Sequence, residues 1–369
     1  MTEGRVVTVS TIRDTPANVG RFVERNLTSG VDHMIVFLDQ QQPAVRKMLA
    51  DNPDVSVVST DKGWWRGEKP KAVEPRQIAN ANVANAILAT LPSVEWVVHL
   101  DGDEAMSFDR ADLAACDADV VRIPTLEAAS QRTWRGGRPA YFKRLASTTQ
   151  LRAMAAYGAI DEPTLDAYYR GHVAGKTAIR PHLSHRVGVH AAYDEAGAKI
   201  EPAQAGDAQL LHYESWCLED FVDRWRDFEP RKAKRSNHRE RRKLIGLAAY
   251  SIANHPDLDD KTRQRYLEQL YDDNVADDLR ALEWFGLLVP SPVGEPAAPR
   301  RIEQPQLEEM RALLRAMREV GKDAFAQEAP AGSMAAALEQ AASALEPGHA
   351  ARVRSVVERH RSTVAGADA

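Results

Sequence analysis

The sequence predicts an α/β fold, with a mostly parallel central sheet flanked by helices and a helical C-terminal extension. Three observations carry this. Short β-branched runs alternate with amphipathic stretches over the first hundred residues, as βαβ units do. The composition turns helical after Glu219, and Ala/Glu/Arg-rich stretches run through the last sixty or so residues.

Val6-Val7-Thr8-Val9 reads as the first strand. From Pro16 to Leu27 the apolar Val19, Phe22, Val23 and Leu27 recur at helical spacing, and Gly30 follows as a stop. The second strand, Met34 to Leu38, ends in Asp39, and a helix around Gln42 to Ala50 leads to a third strand, Val55 to Val58. A long helix from about Pro75 to Leu91 precedes the fourth strand, Trp96 to Leu100. Residues 61–70 are rich in turn formers and read as a loop and a lid candidate, with exposed-looking Trp64 and Trp65 that read equally as stacking on a sugar ring or as closing a core under the loop. From Asp119 to about Tyr213 the pattern is β-like and irregular, with Val120 to Ile123 as a strand and Gly136-Gly137 as a turn. Phe221, Trp225 and Phe228 then open a helical stretch that resumes at Leu244 to Tyr250. The ranges that follow are a main domain over 1–230, a helical extension packed on it over 231–290, a Pro-rich linker at 291–305 and a helical appendage over 306–369. The appendage is read as an accessory or dimerising element, hence a homo-oligomer contact.

A chain of 369 residues, 44% hydrophobic and 27% charged, can bury a full core. Its 48 Lys+Arg against 53 Asp+Glu give a formal charge of −5, so no global field marks a nucleic-acid binder. Cys116 and Cys217 are the only cysteines and lack metal-type spacing, which argues against a disulfide framework and a thiolate zinc site. No signal-peptide pattern and no bilayer-spanning apolar run are visible. The expectation is a cytoplasmic protein, with peripheral contact at the inner face of the membrane open to the basic run 231–243. That run reads equally as a solvated helical face, and without interleaved aromatics it is no persuasive nucleic-acid site.

In open α/β sheets ligands bind outside the carboxyl ends of the strands, so the loops starting at Ser10, Asp39, Thr60 and Asp101 should share one crevice. Asp101 and Asp103 follow an apolar strand with one glycine between them, so both carboxylates can turn toward one small volume. A hard divalent cation, Mg²⁺ or Mn²⁺, takes one or two protein carboxylates plus substrate phosphates, and would there support a departing diphosphate as a Lewis acid. As a bare pattern Asp-x-Asp is weak, because acidic residues are common in loops after strands.

Its surroundings add to it. The opening Val9-Ser10-Thr11-Ile12-Arg13-Asp14, the segment Phe22 to Asp39 with Gly30-Val31-Asp32-His33, the helix start Pro75-Arg76-Gln77-Ile78-Ala79-Asn80 and the stretch Trp96 to Glu104 resemble, in order and spacing, family 2-like glycosyltransferases. The branch in question carries an Arg-Gln-x-x-Asn helix and an Asp-x-Asp-Glu motif. Fainter likeness continues through Gly175-Lys176-Thr177, Gly188-Val189-His190 and Leu211 to Phe221, so that it covers roughly Arg5 to Trp225.

The resemblance implies a GT-A-like catalytic domain, a nucleotide-diphosphate sugar donor, a saccharide or glycoconjugate acceptor as in polysaccharide biosynthesis, a divalent metal and, loosely, inversion. Position by position, it implies Asp103 as principal metal ligand, Asp101 on the ribose or sharing the metal, Asp39 on the nucleoside, and Arg76 with Asn80 facing the base or phosphates. Glu104 supports the loop. Thr11 lies in a donor-binding position, although Thr11 to Asp14 departs from the Asn-Glu ending commoner in that loop.

His182, His185, His190 and His212 all fall in the second half, but their spacings form no familiar zinc pair. The sharper reading is that His190 or His212 completes the Asp-x-Asp metal site. Lys176 lacks the upstream glycines of a phosphate loop and is read as a point charge for the diphosphate. An inverting transfer needs a general base, for which Asp161, Glu162, Asp194 and Glu214 are candidates, each equally an ordinary surface acid. Two other readings compete. A nucleotidyltransferase would show a Gly-rich basic loop after the first strand, where Ser10 to Asp14 has no glycine. A non-catalytic assembly protein on a degenerate transferase scaffold is the other.

Overall fold

The apolar β-branched runs become the strands, and the chain passes several times between two compact units. The computed structural model describes residues 4–204, 206–226, 240–294 and 297–367. Unit 1 comprises Met1–Pro124, Gly175–Gln209 and Gly294–Ala369, and unit 2 comprises Thr125–Ala174 and Leu210–Val293.

In unit 1 the chain runs through β1 (Arg5–Ile12), α1 (Pro16–Thr28), β2 (His33–Leu38), α2 (Pro43–Ala50), β3 (Val55–Ser59), α3 (Lys62–Trp65), α4 (Val73–Leu88) and β4 (Val94–His99). Short β5 (Glu104–Ser107), α5 (Arg110–Ala114) and β6 (Val120–Ile123) follow. Unit 2 then takes β7 (Thr125–Ala128), β8 (Tyr141–Lys143), α6 (Thr148–Tyr157) and α7 (Leu165–Tyr168). The chain next supplies β9 (Lys176–Ile179), β10 (Arg186–Val187), β11 (Ala192–Tyr193) and β12 (Ala203–Gln204) to unit 1. Unit 2 receives β13 (Gln209–His212), α8 (Leu218–Arg226), α9 (Glu240–Ala253), α10 (Asp260–Asn274), α11 (Leu279–Trp284) and β14 (Leu288–Pro290). Unit 1 closes with α12 (Gln304–Ala316), two short 3₁₀ turns, α13 (Ser333–Ala342) and α14 (Pro347–Ala367).

The sheet of unit 1 has the order β12-β6-β9-β4-β1-β2-β3. Strands β3, β2, β1 and β4 are mutually parallel, and β9 runs antiparallel between β4 and β6. Pro16 at the first turn of α1 and the Thr15 hydroxyl, which accepts from the Asn18 N–H, start that helix where the sequence puts it. In unit 2, strands lie side by side in the order β14-β8-β7-β13, with β7 and β13 parallel. Its helices enclose a separate core built on Phe221, Trp225, Leu267 and Tyr271.

Helix α4 is where the structure departs most from an amphipathic surface helix. Every residue from Gln77 to Leu88 is buried. A helix buried on every side needs its apolar side chains packed and its polar ones hydrogen-bonded. Here the sheet contributes Val7, Val9, Ile35 and Val97, and the C-terminal helices contribute Met310, Leu313, Leu338 and Val353, to one core with α4. Residues 306–369, set apart as an appendage in the sequence reading, thus belong to the same compact unit as the first four strands. The asparagines of α4 are pegs in this core. Asn82 accepts from the Val187 N–H (2.7 Å) and donates to the Val187 and Phe325 carbonyls. Asn85 likewise accepts from the His182 N–H and donates to the His182 and His185 carbonyls. Buried backbone groups left without such partners would cost about 1–3 kcal/mol each.

The 61–70 segment needs correction. Asp61 caps the short helix α3 by accepting from the Trp64 N–H, and Trp64 and Trp65 are 0% and 4% exposed. Neither indole is available to stack on a sugar ring, and the segment is held down by these two side chains. Phe228 and residues 231–239 of the basic run lie outside the described residues. Among the described residues no helix is long and apolar enough to cross a membrane.

Candidate functional site

Three residues of α4 grip the carboxyl ends of three adjacent strands in unit 1. Arg76 forms a two-pronged ion pair with Asp39, just past β2, its Nε and Nη2 each 2.8 Å from a carboxylate oxygen. Gln77 donates through Nε2 to Asp101 Oδ1, just past β4. Asn80 donates to the Thr11 hydroxyl at the end of β1 (3.0 Å) and accepts from the Trp64 indole N–H (3.0 Å). The strands present polar side chains where a parallel sheet offers its crevice, and one helix fixes their mutual spacing. Arg76 also donates to the carbonyls of Pro70, Lys71 and Ala72, and Lys69 lies 3.0 Å from Asp39, so the loop before α4 is tied to the same carboxylate.

Asp101 and Glu104 share Lys176. The ammonium, 1% exposed, lies 2.7 Å from Asp101 Oδ2 and 3.3 Å from Glu104 Oε2, and Glu104 accepts the Asp101 backbone N–H at 2.8 Å. Burial, the largest single influence, would raise the Asp101 carboxyl, but the Lys176 charge and hydrogen bond, with His99, together outweigh it and hold the group below the usual carboxylate range. Burial would lower Lys176, and its two carboxylates push it above its ordinary value instead. Asp101 and Lys176 therefore both stay charged across the neutral range. Gly175, at φ 66°, makes the turn into β9 possible, since a Cβ there would sit 2.3 Å from the Ile123 carbonyl oxygen. Its own carbonyl faces His190 Nδ1 at 2.9 Å. A carbonyl only accepts, so Nδ1 carries the proton and the lone pair falls on Nε2. Burial, then the Lys176 charge, hold His190 below its ordinary pKa and hence neutral. His99, at the end of β4, is pushed down to about 3, first by burial and then by Lys176. Asp103 is half-buried on the turn between β4 and β5.

The remaining sequence candidates lie as follows. His182 and His185 stand with ring centroids 5.2 Å apart and His182 is 6.1 Å from His360, so they form a group of their own. Asp194 caps a turn by accepting from the Ala198 N–H. Asp161, Glu162, His212 and Glu214 belong to unit 2. Asp161 pairs with Arg241, Glu162 is exposed, and Glu214, 2% exposed, pairs with Arg242.

Sequence reasoning passed over a dense charge network in unit 2. Glu127 and Lys143 are both fully buried, 3.2 Å apart. Lys143 also reaches Asp277 (2.9 Å) and the Tyr168 carbonyl (2.7 Å), while Glu127 accepts the backbone N–H groups of Arg170 and Gly171. His212 Nδ1 is 3.5 Å from Glu127 and Nε2 is 4.0 Å from Glu214. A lone glutamate inside the apolar run Leu126-Glu127-Ala128-Ala129 was the available signal. Gln77 was missed as well, although it adjoins Arg76 in the quoted helix motif.

Beneath the site, Lys322 is 4% exposed, donates to the Met317 and Val320 carbonyls, and lies 4.1 Å over the Trp64 ring. Burial, then the charges of Arg318 and Arg66, push it down to about 8. A lysine lowered in the folded state makes stability rise with pH between the folded and unfolded values, because the unfolded chain binds the extra proton. Urea unfolding should therefore show stability rising between about pH 8 and 10 by roughly 1–3 kcal/mol more in the native chain than in Lys322→Met. Equal slopes would show that Lys322 titrates like a solvated amine.

No protein-family model and no curated protein matches the chain in sequence. Among solved structures, the chain is similar to the crystal structure of HddC from Yersinia pseudotuberculosis, at 12% identity and a TM-score of 0.31 over 59% of this chain and 96% of that one. A likeness this slight says nothing about activity.

Proposed function

We propose that this chain is a metal-assisted glycosyltransferase with a GT-A-like donor half in unit 1, moving a sugar from a nucleotide-diphosphate donor to a hydroxyl of a saccharide or glycoconjugate, with inversion. The observation that supports the reading most is the grip of α4 on Asp39, Thr11 and Asp101, since it sets an acid, a hydroxyl and a second acid at the ends of neighbouring parallel strands.

In this reading Asp39 accepts from the nucleoside, its carboxylate plane set by Arg76. Thr11 offers a hydroxyl beside it, and Asn80 acts as a positioning residue, being fully buried. Asp101, with one oxygen on Gln77 and the other on Lys176, turns its remaining lone pairs to the ribose. Lys176, enclosed by Asp101 and Glu104, keeps that carboxylate ionised and acts on the diphosphate only through it. Asp103 and neutral His190 are oxygen and nitrogen donors of the kinds that Mn²⁺ accepts, Mg²⁺ preferring the oxygen. When bound, the cation would supply Lewis-acid support to the departing diphosphate.

The test is a thermal-shift screen of nucleoside diphosphates with and without Mn²⁺, followed by release of nucleoside diphosphate from the matching nucleotide sugar. One base should raise the unfolding temperature in a saturable, Mn²⁺-dependent way. A flat response across the panel, with no donor turnover, would end the proposal.

A further inference from the structure

The outer edge of the unit 1 sheet carries a second pocket, remote in sequence from the strand ends just described. Strand β3 is the edge strand at the end of the sheet opposite β12. The Met34 N–H donates to the Asp54 carbonyl and the Thr60 N–H to the Leu38 carbonyl, so alternate residues of this stretch face β2 and leave Val55, Val57 and Ser59 facing outward. A cavity of about 540 Å³ lies against that edge. Its lining includes Arg46 from α2, Arg311 and Arg315 from α12, and Arg318 from the turn after it. Asp61 is the one carboxylate in the lining, and Arg318 already holds both of its oxygens (2.8 and 3.0 Å). Val55, Val58 and Leu314 give the pocket apolar walls.

The arginines divide into two pairs. Arg311 donates to the Val55 carbonyl and Arg318 to the Ser59 carbonyl, each at 3.2 Å, which fastens α12 along the edge. Arg46 and Arg315 are exposed, and their guanidinium groups make no ion pair or hydrogen bond among the described residues. The guanidinium of Arg311 is pushed below its ordinary value, first by burial and then by the charge of Arg315 beside it. Four guanidinium groups thus face one carboxylate in a concave site large enough for a small organic molecule. Strand addition by a peptide is disfavoured, because an incoming strand needs the outward carbonyls that Arg311 and Arg318 already hold.

We propose that this pocket binds a soluble phosphorylated organic molecule, its phosphoryl oxygens bridged by Arg46 and Arg315 and its apolar body against Leu314 and Val58. A dianion with three acceptor oxygens suits several forked guanidinium donors better than a single carboxylate does. Bridging would also tie α2 to α12 across the sheet edge.

The experiment titrates the full chain with phenyl phosphate, in EDTA and at fixed ionic strength, by calorimetry and by thermal shift. Saturable binding is expected in the native chain, weakened at least tenfold in Arg46→Gln/Arg315→Gln, and unchanged in Arg76→Gln, which disturbs only the strand-end site. Benzoate should bind more weakly than phenyl phosphate. Since both replaced arginines are exposed and unpaired, the double variant should keep the native circular dichroism. Equal affinity in the double variant, loss of binding in Arg76→Gln, or no binding at millimolar phenyl phosphate would overturn the assignment. So would binding only to phosphatidate-containing vesicles. An edge that merely self-associates when the arginines are removed, without change in phenyl phosphate affinity, would likewise show that the charges guard the strand and hold no ligand. Because the titration contains no metal and no nucleotide, its failure leaves the transferase proposal standing, and the reverse holds as well.

Discussion

Asp103→Asn is expected to remove the Mn²⁺-dependent stabilisation by nucleoside diphosphate and to lower sugar transfer by about 10²–10³-fold, the several kcal/mol that metal support of a leaving group supplies. The unfolding midpoint without ligand should hardly move, because Asp103 is half-buried and isosteric replacement keeps the turn between β4 and β5. Asp101→Asn makes the informative contrast. It leaves Lys176, 1% exposed, with Glu104 as its remaining carboxylate, so it should lower stability as well as activity. Calorimetry of the diphosphate with Mn²⁺ separates the two variants from a purely structural effect. Retained metal-dependent binding in Asp103→Asn would move the metal to other ligands and remove the main support for reading Asp-x-Asp as a metal motif here.

The second large effect is expected in unit 2. Glu127→Gln should destabilise that unit by about 3–5 kcal/mol, because it leaves the fully buried Lys143 ammonium with Asp277 as its one remaining ion-pair partner among the described residues. The amide keeps an oxygen for the Arg170 and Gly171 N–H groups, so the loss isolates the charge. Burial, the largest single influence, would raise the Glu127 carboxyl, yet Lys143, His212 and Arg170 together outweigh it and hold the group well below the carboxylate range. A depressed acid contributes stability that is present above its unfolded value, near 4.5, and is lost as pH falls toward the folded one. Native-state hydrogen exchange of the β7 and β13 amides reads this unit separately from unit 1. A change under about 1 kcal/mol would mean that the pair is no better than a solvated one.

What could be read from sequence follows from what is local. The strands β1 to β4 announce themselves by β-branched runs, and Asp39 and Asp101 lie at their ends because a polar residue closing such a run has nowhere else to point. Helix α4 was placed within a few residues, yet its burial on every side was hidden. Asn80, Asn82 and Asn85 look like solvent-facing residues until their partners arrive from Thr11, Val187, Phe325 and His182. For the same reason the sequence leaves Trp64 and Trp65 open between stacking on a sugar and closing a core, and the structure shows the second. Turn-forming neighbours suggest exposure, and the cover they pack under is not adjacent in the chain. The Glu127, Lys143, Arg170 and Asp277 network draws on residues spread over 150 positions, so no window of sequence displays its balance of charge.

The hold of α4 on three strand ends has a mechanical consequence. Arg76, Gln77 and Asn80 sit within five consecutive residues of one rod, so a shift of that rod carries Asp39, Asp101 and Thr11 together and leaves their separations nearly intact. Displacement of this kind is common to all three contact points and cancels in the distances between them. Strain entering through Asn82 or Asn85, from the layer that holds Phe325 and His185, would therefore translate the crevice as a block before it deformed it. Changes of ligand preference should be easier to obtain by exchanging a side chain at one strand end than by moving the helix that measures them all.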